Sequence, residues 1–136
     1  MDRVVVDTNV IVSALIGKGN PRRVLELLFS GKVTLCFSTA ILDEYIDVLH
    51  RPKFSRFPDF LAYASLTLKS LQSIAEFMEP KITLRVCPDP DDNKFLELAV
   101  ATQARYLITG NKRHFPVGLF KGTQTVSPRE FVSSFK

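Results

Sequence analysis

The sequence is poor in the residues that crosslink small proteins, with two cysteines and two histidines among 136 residues. Cys36 and Cys87 have no second cysteine or histidine at the short spacing of a structural zinc site, and two cysteines make no disulfide framework. Both are expected to be reduced, mostly buried thiols, as is typical of a cytoplasmic protein. The fold must therefore depend on its own apolar core, for which a chain of 136 residues is long enough.

Long apolar runs are also missing from the chain. No stretch approaches the roughly 18 residues of a membrane-spanning helix, so we expect no membrane segment. Residues 1–3 lead directly into a strand pattern, which predicts that no signal peptide is present. Neither a low-complexity linker nor an internal repeat interrupts the sequence, and residues 1–136 are predicted to form one domain in the cytoplasm.

The excess of positive charge is modest. Lys and Arg number 18 and Asp and Glu number 14, which gives a net charge of +4. This excess alone is a weak indication of a polyanionic partner. The acids are unevenly spread, however, because Asp89, Asp91 and Asp92 crowd one short turn. If acids gather around a metal ion, the remaining surface is more basic than the total suggests.

Short apolar runs alternate with amphipathic stretches along the chain. The apolar runs predict buried strands at residues 4–6, 33–37, 106–109 and 124–126. The amphipathic stretches predict helices at residues 9–16, 21–29, 39–49, 60–78 and 92–103, and from the capping box at 127–130 onward. This alternation predicts an α/β fold with a mostly parallel sheet covered by helices on both sides.

Polar residues follow these predicted strands closely. Asp7 comes directly after the first strand, Glu44 lies in the first turns after the second, and Asn111 follows the third. The acidic turn at 89–92 enters the helix that feeds strand 106–109. Because ligand sites of such sheets lie outside the carboxyl ends of the strands, we expect all four segments to meet at one edge.

Clustered carboxylates repel one another and raise their own pKa values unless a cation neutralises them. Such oxygen ligands suit Mg²⁺ or Mn²⁺, and a bound ion supports hydrolysis of a phosphodiester. Taken singly, Asp7 and Asp92 are better explained as helix caps, and Glu44 as a solvated helix residue. Taken together, three acids at one sheet edge favour a functional metal site.

The residues around these acids resemble the four motifs of PIN-domain nucleases, in the same order. The matching motifs are Val-Val-Val-Asp-Thr-Asn-Val at 4–10, Ser38 followed by Glu44, Asp92 seven residues before Ala99, and Ala-Arg-Tyr-Leu-Ile-Thr-Gly at 104–110. Within that family the chain is most similar to a branch with an Asp-Pro-Asp-Asp turn, the VapC-like toxins of toxin–antitoxin pairs. The resemblance spans essentially the whole chain.

The resemblance implies a three-layer α/β/α sandwich that binds Mg²⁺ or Mn²⁺ and hydrolyses single-stranded RNA. Carried across by motif, the catalytic and metal-binding acids are Asp7, Glu44 and Asp92. The polar residues that match positions orienting these acids are Thr8, Asn9, Ser38 and Thr109. The resemblance also implies a small antitoxin protein as a partner and a homodimer as the oligomeric state.

Asn111 departs from the family pattern, because many relatives carry an aspartate directly after Thr-Gly. An amide oxygen can coordinate a metal ion but contributes no charge, so we expect weaker binding at one metal position and low activity. Asp89 and Asp91 are candidates to supply the missing charge at a metal position. Shaping of the turn is the equal alternative for both residues, since aspartate is common in turns.

Basic residues near the predicted site are candidates for contacts with nucleic-acid phosphates, which position a substrate without reading its sequence. Lys112, Arg113 and His114 directly follow Asn111. The second group, which we expect to flank the same mouth after the first helix, comprises Lys18, Arg22 and Arg23. A solvated surface loop is the alternative reading for the first group.

Two hypotheses of different classes follow from the sequence. The first is a metal-dependent endoribonuclease that hydrolyses single-stranded RNA with metal-activated water. The second is a catalytically weak or inactive RNA-binding or partner-binding module on the same fold, which Asn111 motivates. A phosphatase that forms an aspartyl-phosphate is excluded, because Asn9 stands where its Asp-x-Asp motif needs the second acid.

Overall fold

Residues 1–135 are described by a computed structural model, and they form a six-stranded sheet flanked by six α-helices. The strands are β1 (Arg3–Val6), β2 (Thr34–Phe37), β3 (Glu76–Phe77), β4 (Tyr106–Ile108), β5 (Leu119–Phe120) and β6 (Thr123–Val126). The helices are α1 (Thr8–Ile16), α2 (Asn20–Ser30), α3 (Thr39–Leu49), α4 (Phe60–Ile74), α5 (Asn93–Thr102) and α6 (Pro128–Ser133). Short 3₁₀ turns lie at Pro52–Phe54, Pro90–Asp92 and Lys112–His114.

The strands are arranged in the order β3-β2-β1-β4-β6-β5, and all neighbours are parallel except β5 and β6. From β1 the chain first builds outward through β2 and β3, and it then returns to add β4 on the other side of β1. The order of the strands therefore reverses beside β1. In open α/β sheets a crevice forms at this reversal, outside the carboxyl ends of the strands.

The core includes both faces of the central strands. Val4, Val5 and Val6 are consecutive and completely buried. Because side chains along a strand alternate between faces, this burial requires helices on both sides of the sheet. Phe95, on α5, is likewise fully buried. The predicted three-layer α/β/α architecture with a mostly parallel sheet is therefore confirmed.

One predicted helix was too long, and the two short strands β3 and β5 were not predicted. The pattern predicts a helix over 60–78, whereas α4 ends at Ile74, and residues 76–77 pair in parallel with Cys36 and Phe37. Apolar spacing continues past Ile74, but the open edge of β2 offers backbone hydrogen bonds that the helical conformation cannot use. Leu61, in the first turn of α4, is 47% exposed.

A long extended segment, residues 78–89, joins β3 to the turn before α5, and we call it the strap. It has no regular secondary structure and is held mainly by side chains. Glu79 Oε1 accepts hydrogen bonds from the backbone N–H and the hydroxyl of Thr39, and Glu97 Oε2 accepts from the Leu84 N–H at 2.9 Å. The predicted strand at 124–126 corresponds to β6, whereas its antiparallel pairing with β5 was not predicted. Within residues 1–135, no helix has the length and apolar character needed to cross a membrane.

Candidate active site

Asp7 occupies the reversal point of the sheet. It follows β1 directly, and its backbone N–H donates to the carbonyl of Ile108 at the end of β4, at 2.9 Å. The hydroxyl of Thr109 donates to Asp7 Oδ2 at 2.7 Å. Burial raises the pKa of Asp7, the Thr109 hydrogen bond and the nearby backbone N–H groups oppose this, and the charge of Glu44 raises the pKa further. Asp7 is therefore a fixed, desolvated carboxylate beside a second acid.

Glu44 reaches the same edge from α3. Ser38 caps this helix by accepting a hydrogen bond from the Ile41 N–H at 3.3 Å, which is a capping role and not a contact with an acid. The buried hydroxyl of Tyr45 donates to the Val6 carbonyl and so fastens α3 to the end of β1. Glu44, the preceding residue of α3, is close enough for its charge to raise the pKa of Asp7.

Both carboxylate oxygens of Glu44 are engaged by the protein. Thr8 donates its hydroxyl proton to Oε2, and the Lys94 ammonium lies 2.6 Å from Oε1. Thr8 and Thr109 thus hold two acids as the sequence analysis expected. Asn9 is exposed, and its backbone N–H, acting on Asp7, is its contribution to the site.

Asp92 completes the set from the other side of the crevice. It closes the 3₁₀ turn Pro90–Asp92 and immediately precedes α5. Burial raises its pKa to about 6, with further contributions from the charges of Asp7, Asp89 and Glu44, while His114 lowers it. Among the described residues, Asp92 Oδ2 is the one buried side-chain oxygen or nitrogen without a hydrogen-bond partner. Buried carboxylate oxygens without a hydrogen bond are rare in folded proteins, and a bound cation is one way to satisfy such an oxygen.

The side chain of Asn93 fixes the turn that presents Asp92. Its Oδ1 accepts from the backbone N–H groups of Val86 and Cys87 at 3.2 and 3.0 Å, and its Nδ2 donates to the Pro90 carbonyl at 3.2 Å. One buried amide therefore ties the strap to the acidic turn. Asn93 was not predicted to be a functional residue, because a single asparagine within a polar helix start carries no distinctive pattern.

Asp89 and Asp91 take different positions in this turn. Asp89 Oδ1 accepts from the Asp91 N–H at 3.0 Å, which caps the turn and favours the shaping role for Asp89. Asp91 is exposed. A contribution of either residue to metal binding stays a prediction.

Asn111 is linked to Asp92 through a histidine. Its Nδ2 donates to His114 Nε2 at 2.9 Å, and the opposite ring nitrogen, Nδ1, lies 3.5 Å from Asp92 Oδ2. The backbone N–H of Asn111 also donates to the Thr109 hydroxyl at 3.1 Å. In this arrangement Asn111 orients His114, and its amide does not contact an acid directly.

The three predicted metal ligands thus reach one edge but do not form one cage. Their charges influence one another, as the pKa values of Asp7 and Asp92 show. Within the part of the chain that the structure describes, however, no group of three or more His, Cys, Asp or Glu side chains could hold a metal ion. The expected convergence of Asp7, Glu44 and Asp92 on one ion is therefore not seen, and Glu44 is instead paired with Lys94.

The predicted nucleic-acid contacts at 112–114 lie beside the site. Arg113 and His114 are exposed. Lys112 is also exposed, and it forms an ion pair with Glu130 of α6 at 2.9 Å. Because of their position, these three residues remain candidates for contacts with nucleic-acid phosphates. Lys112 would have to release Glu130 in order to bind a phosphate.

The second basic group is not gathered at the acidic edge. Lys18 follows the end of α1 opposite Asp7, about 13 Å away along the helix axis. Arg22 donates to the Ala14 carbonyl at 3.1 Å and to the Tyr63 hydroxyl at 3.3 Å, which links α2 to α1 and α4. Arg23 lies with Val132 in a groove between α2 and α6. The expectation that these three residues flank the site together is not supported by this placement.

Comparison with known families agrees with the order and geometry of these motifs. The sequence profile of the PIN domain matches residues 3–113. The chain belongs to the PIN-domain family. PIN domains are generally nucleases that use divalent metal ions.

Two known proteins are similar to this PIN domain. Uncharacterized protein MJ1680 of Methanocaldococcus jannaschii is 35% identical over 111 residues, which cover 81% of this chain and 71% of that protein. VapBC2 from Rickettsia felis, crystallised with a DNA fragment from the promoter, has a chain of similar fold with a TM-score of 0.59. That match covers 92% of this chain and 98% of the other at 17% identity, so it shows a shared fold.

The donor set of this PIN domain fits a divalent ion of the magnesium type. Such ions take hard oxygen ligands, and Mg²⁺ usually keeps several waters while binding one or two protein carboxylates. Asp7 and Asp92 provide two carboxylates, and Asp92 Oδ2 accepts no hydrogen bond among the described residues, with His114 Nδ1 3.5 Å away. A cation between them would also relieve the repulsion that contributes to the raised pKa of Asp92.

Asp92 predicts a pH dependence of stability in the metal-free protein. Its pKa of about 6 in the folded state lies above the ordinary value of 3.8, so between these values the folded state holds more protons than the unfolded state. The free energy of unfolding is therefore expected to fall as the pH rises through this window, and to level off above it. Urea denaturation with chelator from about pH 4 to about pH 8 measures the effect.

Asp92→Asn is the reference for this measurement, because other groups also titrate in the same window. The difference between wild type and Asp92→Asn isolates the contribution of this carboxyl group. If wild type gains stability relative to the variant as the pH rises, the assignment of a raised pKa to Asp92 is wrong.

Proposed function

We propose that this PIN domain is a metal-dependent endoribonuclease that hydrolyses single-stranded RNA with water activated by Mg²⁺ or Mn²⁺. The observation that carries the proposal is the buried Oδ2 of Asp92, which accepts no hydrogen bond from residues 1–135 and lies near the charges of Asp7 and Glu44. Membership of a family whose domains are generally nucleases supports the same reaction class.

The residues of the chain would divide the work as follows. Asp7 and Asp92 hold the ion, and Thr109 fixes the orientation of Asp7. When bound, a divalent ion polarises a phosphoryl oxygen and lowers the pKa of a bound water. Arg113 and His114 are exposed, and His114 lies beside Asp92, so both would contact phosphates of the bound RNA. Such contacts position the backbone without selecting a sequence, and unstacked single strands fit an open crevice best.

We further propose that the protein is the toxin of a toxin–antitoxin pair in the cytoplasm, with a small antitoxin protein as its partner. The fold shared with a chain of the R. felis VapBC2 structure supports this assignment. A homodimer is the proposed oligomeric state. Exposed apolar side chains support a partner surface, among them Leu61, Leu66, Ile74 and Phe77, which are 47%, 66%, 45% and 52% exposed.

Cleavage of a mixed pool of single-stranded RNAs tests the activity. With Mn²⁺ or Mg²⁺ present, we expect new RNA ends that accumulate with time, and excess chelator is expected to reduce cleavage to background, because the carboxylates alone cannot activate water. Sequencing of the cut ends gives the target preference. Cleavage that continues undiminished in excess chelator would contradict the proposal, and a matched DNA pool is the control for substrate class.

The alternative function is a catalytically weak or inactive module that binds RNA or a protein partner. Two observations favour it: Glu44 is occupied by Lys94, and position 111 carries a neutral amide. Calorimetric titration of Mn²⁺ separates the two functions, because an inactive module should show little binding that depends on Asp7. In Asn111→Asp, a large gain in Mn²⁺ affinity would indicate that the wild-type site is impaired.

A further inference from the structure

Lys94 lies against Glu44, at a position that would be open if all three carboxylates of the site were free to bind metal ions. Its ammonium lies 2.6 Å from Glu44 Oε1, and the remaining Glu44 oxygen accepts from Thr8. The two side chains of this ion pair are only 24% and 23% exposed, so the pair is shielded from water. A shielded pair at this distance is held more firmly than a surface salt bridge, which contributes little.

Helix stability does not explain the position of Lys94. It is the second residue of α5, and a positive charge at the N-terminus of a helix opposes the helix dipole. The favourable interaction that compensates this is the contact with Glu44, on α3. Asp92 lies two residues before Lys94 in the same segment. This segment therefore places an ammonium group against Glu44 and, in the crevice, the Asp92 Oδ2 atom, which accepts no hydrogen bond among the described residues.

We propose that Lys94 acts as a fixed second cation of the site, neutralising Glu44 so that Asp7 and Asp92 hold a single divalent ion. The inference rests on the proposed function and adds the number of ions and a positioning residue to it. Three carboxylates, one ammonium and one divalent ion are electrically neutral together. A second divalent ion beside Lys94 would leave an excess of positive charge, which Asn111, an amide, cannot offset.

Mn²⁺ binding to the full chain, measured by calorimetry and by electron paramagnetic resonance, tests this inference without RNA. Wild type is expected to bind one Mn²⁺ per chain. Lys94→Gln removes the competing charge and frees Glu44, so Mn²⁺ should bind at least about tenfold more tightly. Lys94→Arg keeps the charge and should resemble wild type. Arg105→Gln is the matched control, because it breaks the ion pair with Asp2 at the amino ends of the strands.

Two results would overturn the inference. Binding of two Mn²⁺ ions per wild-type chain would contradict the inference. This measurement needs no variant, so it remains decisive if Lys94→Gln does not fold. Unchanged or weaker Mn²⁺ binding in a folded Lys94→Gln would show that Lys94 merely supports Glu44 as a ligand. Failure of the proposed function looks different: RNA stays intact although one Mn²⁺ binds and Lys94→Gln tightens it.

Discussion

Asp7→Asn is expected to abolish metal-dependent RNA cleavage, with a loss of at least roughly 10³-fold, because a bound ion supplies several kcal/mol of charge stabilisation. Asp7 lies at the reversal point of the sheet, where its backbone N–H donates a hydrogen bond to the Ile108 carbonyl. Asparagine keeps the size of the side chain and an oxygen that accepts from Thr109, so the geometry is preserved. Single-turnover cleavage at saturating Mn²⁺ measures the loss.

The stability of Asp7→Asn should move in the opposite direction to its activity. Burial raises the pKa of Asp7, so the charged form is unfavourable in the metal-free fold, and the amide removes that cost. The metal-free variant is therefore expected to be at least as stable as wild type. Asp43→Asn, which removes an exposed carboxylate next to Glu44, is the matched control and should keep wild-type cleavage. Full cleavage by a folded Asp7→Asn would eliminate the mechanism.

Asn93→Ala is expected to have the second-largest effect, a loss of about 2 kcal/mol of unfolding free energy, because hydrogen bonds to a buried amide are removed. The backbone N–H groups of Val86 and Cys87 lose their acceptor, and the Pro90 carbonyl loses its donor. The turn that presents Asp92 is then no longer fixed. Since small displacements of a catalytic group cost ~10²-fold in rate, cleavage should fall by about that factor.

Two further variants show whether this effect comes from the hydrogen bonds. Asn93→Asp keeps the acceptor for Val86 and Cys87 but loses the donor to Pro90, so its stability should lie between those of wild type and Asn93→Ala. Asn20→Ala removes a partly buried asparagine at the start of α2, away from the strap, and should leave cleavage unchanged. If Asn93→Ala retains both wild-type stability and wild-type cleavage, Asn93 does not position Asp92.

The central architecture could be predicted from the sequence because it depends on local patterns. A continuous apolar run, as at Val4 to Val6, is characteristic of a strand buried on both faces, and polar residues directly after it mark the carboxyl edge. Strand β5 and the end of α4 could not be predicted in the same way. Residues 76–77 adopt an extended conformation because β2 has a free edge, which is a long-range property that helical spacing does not encode.

The placement of Asp7 and Asp92 could be predicted from the sequence, whereas the contacts of Glu44 could not, and the catalytic roles of all three acids stay predictions. Asp7 and Asp92 lie where their motifs placed them, at the edge of the sheet. The engagement of Glu44 was missed, because its partner Lys94 is 50 positions away in sequence. From the sequence alone, a lysine at the start of a helix is expected to be an ordinary solvated charge. Its role depends on which other helix packs against its own. Contacts of that kind follow from tertiary packing alone.

The two carboxylates of the proposed ion site are carried by parts of the fold that differ in rigidity. Asp7 is fastened to the two central strands of the sheet, whereas Asp92 follows the strap, which is anchored chiefly through the side chains of Glu79, Glu97 and Asn93. Parts of a protein that lack ladder hydrogen bonds open at lower free energy than its core. If the crevice closes around bound RNA, the turn that carries Asp92 would therefore move toward Asp7, while the sheet that holds Asp7 stays in place.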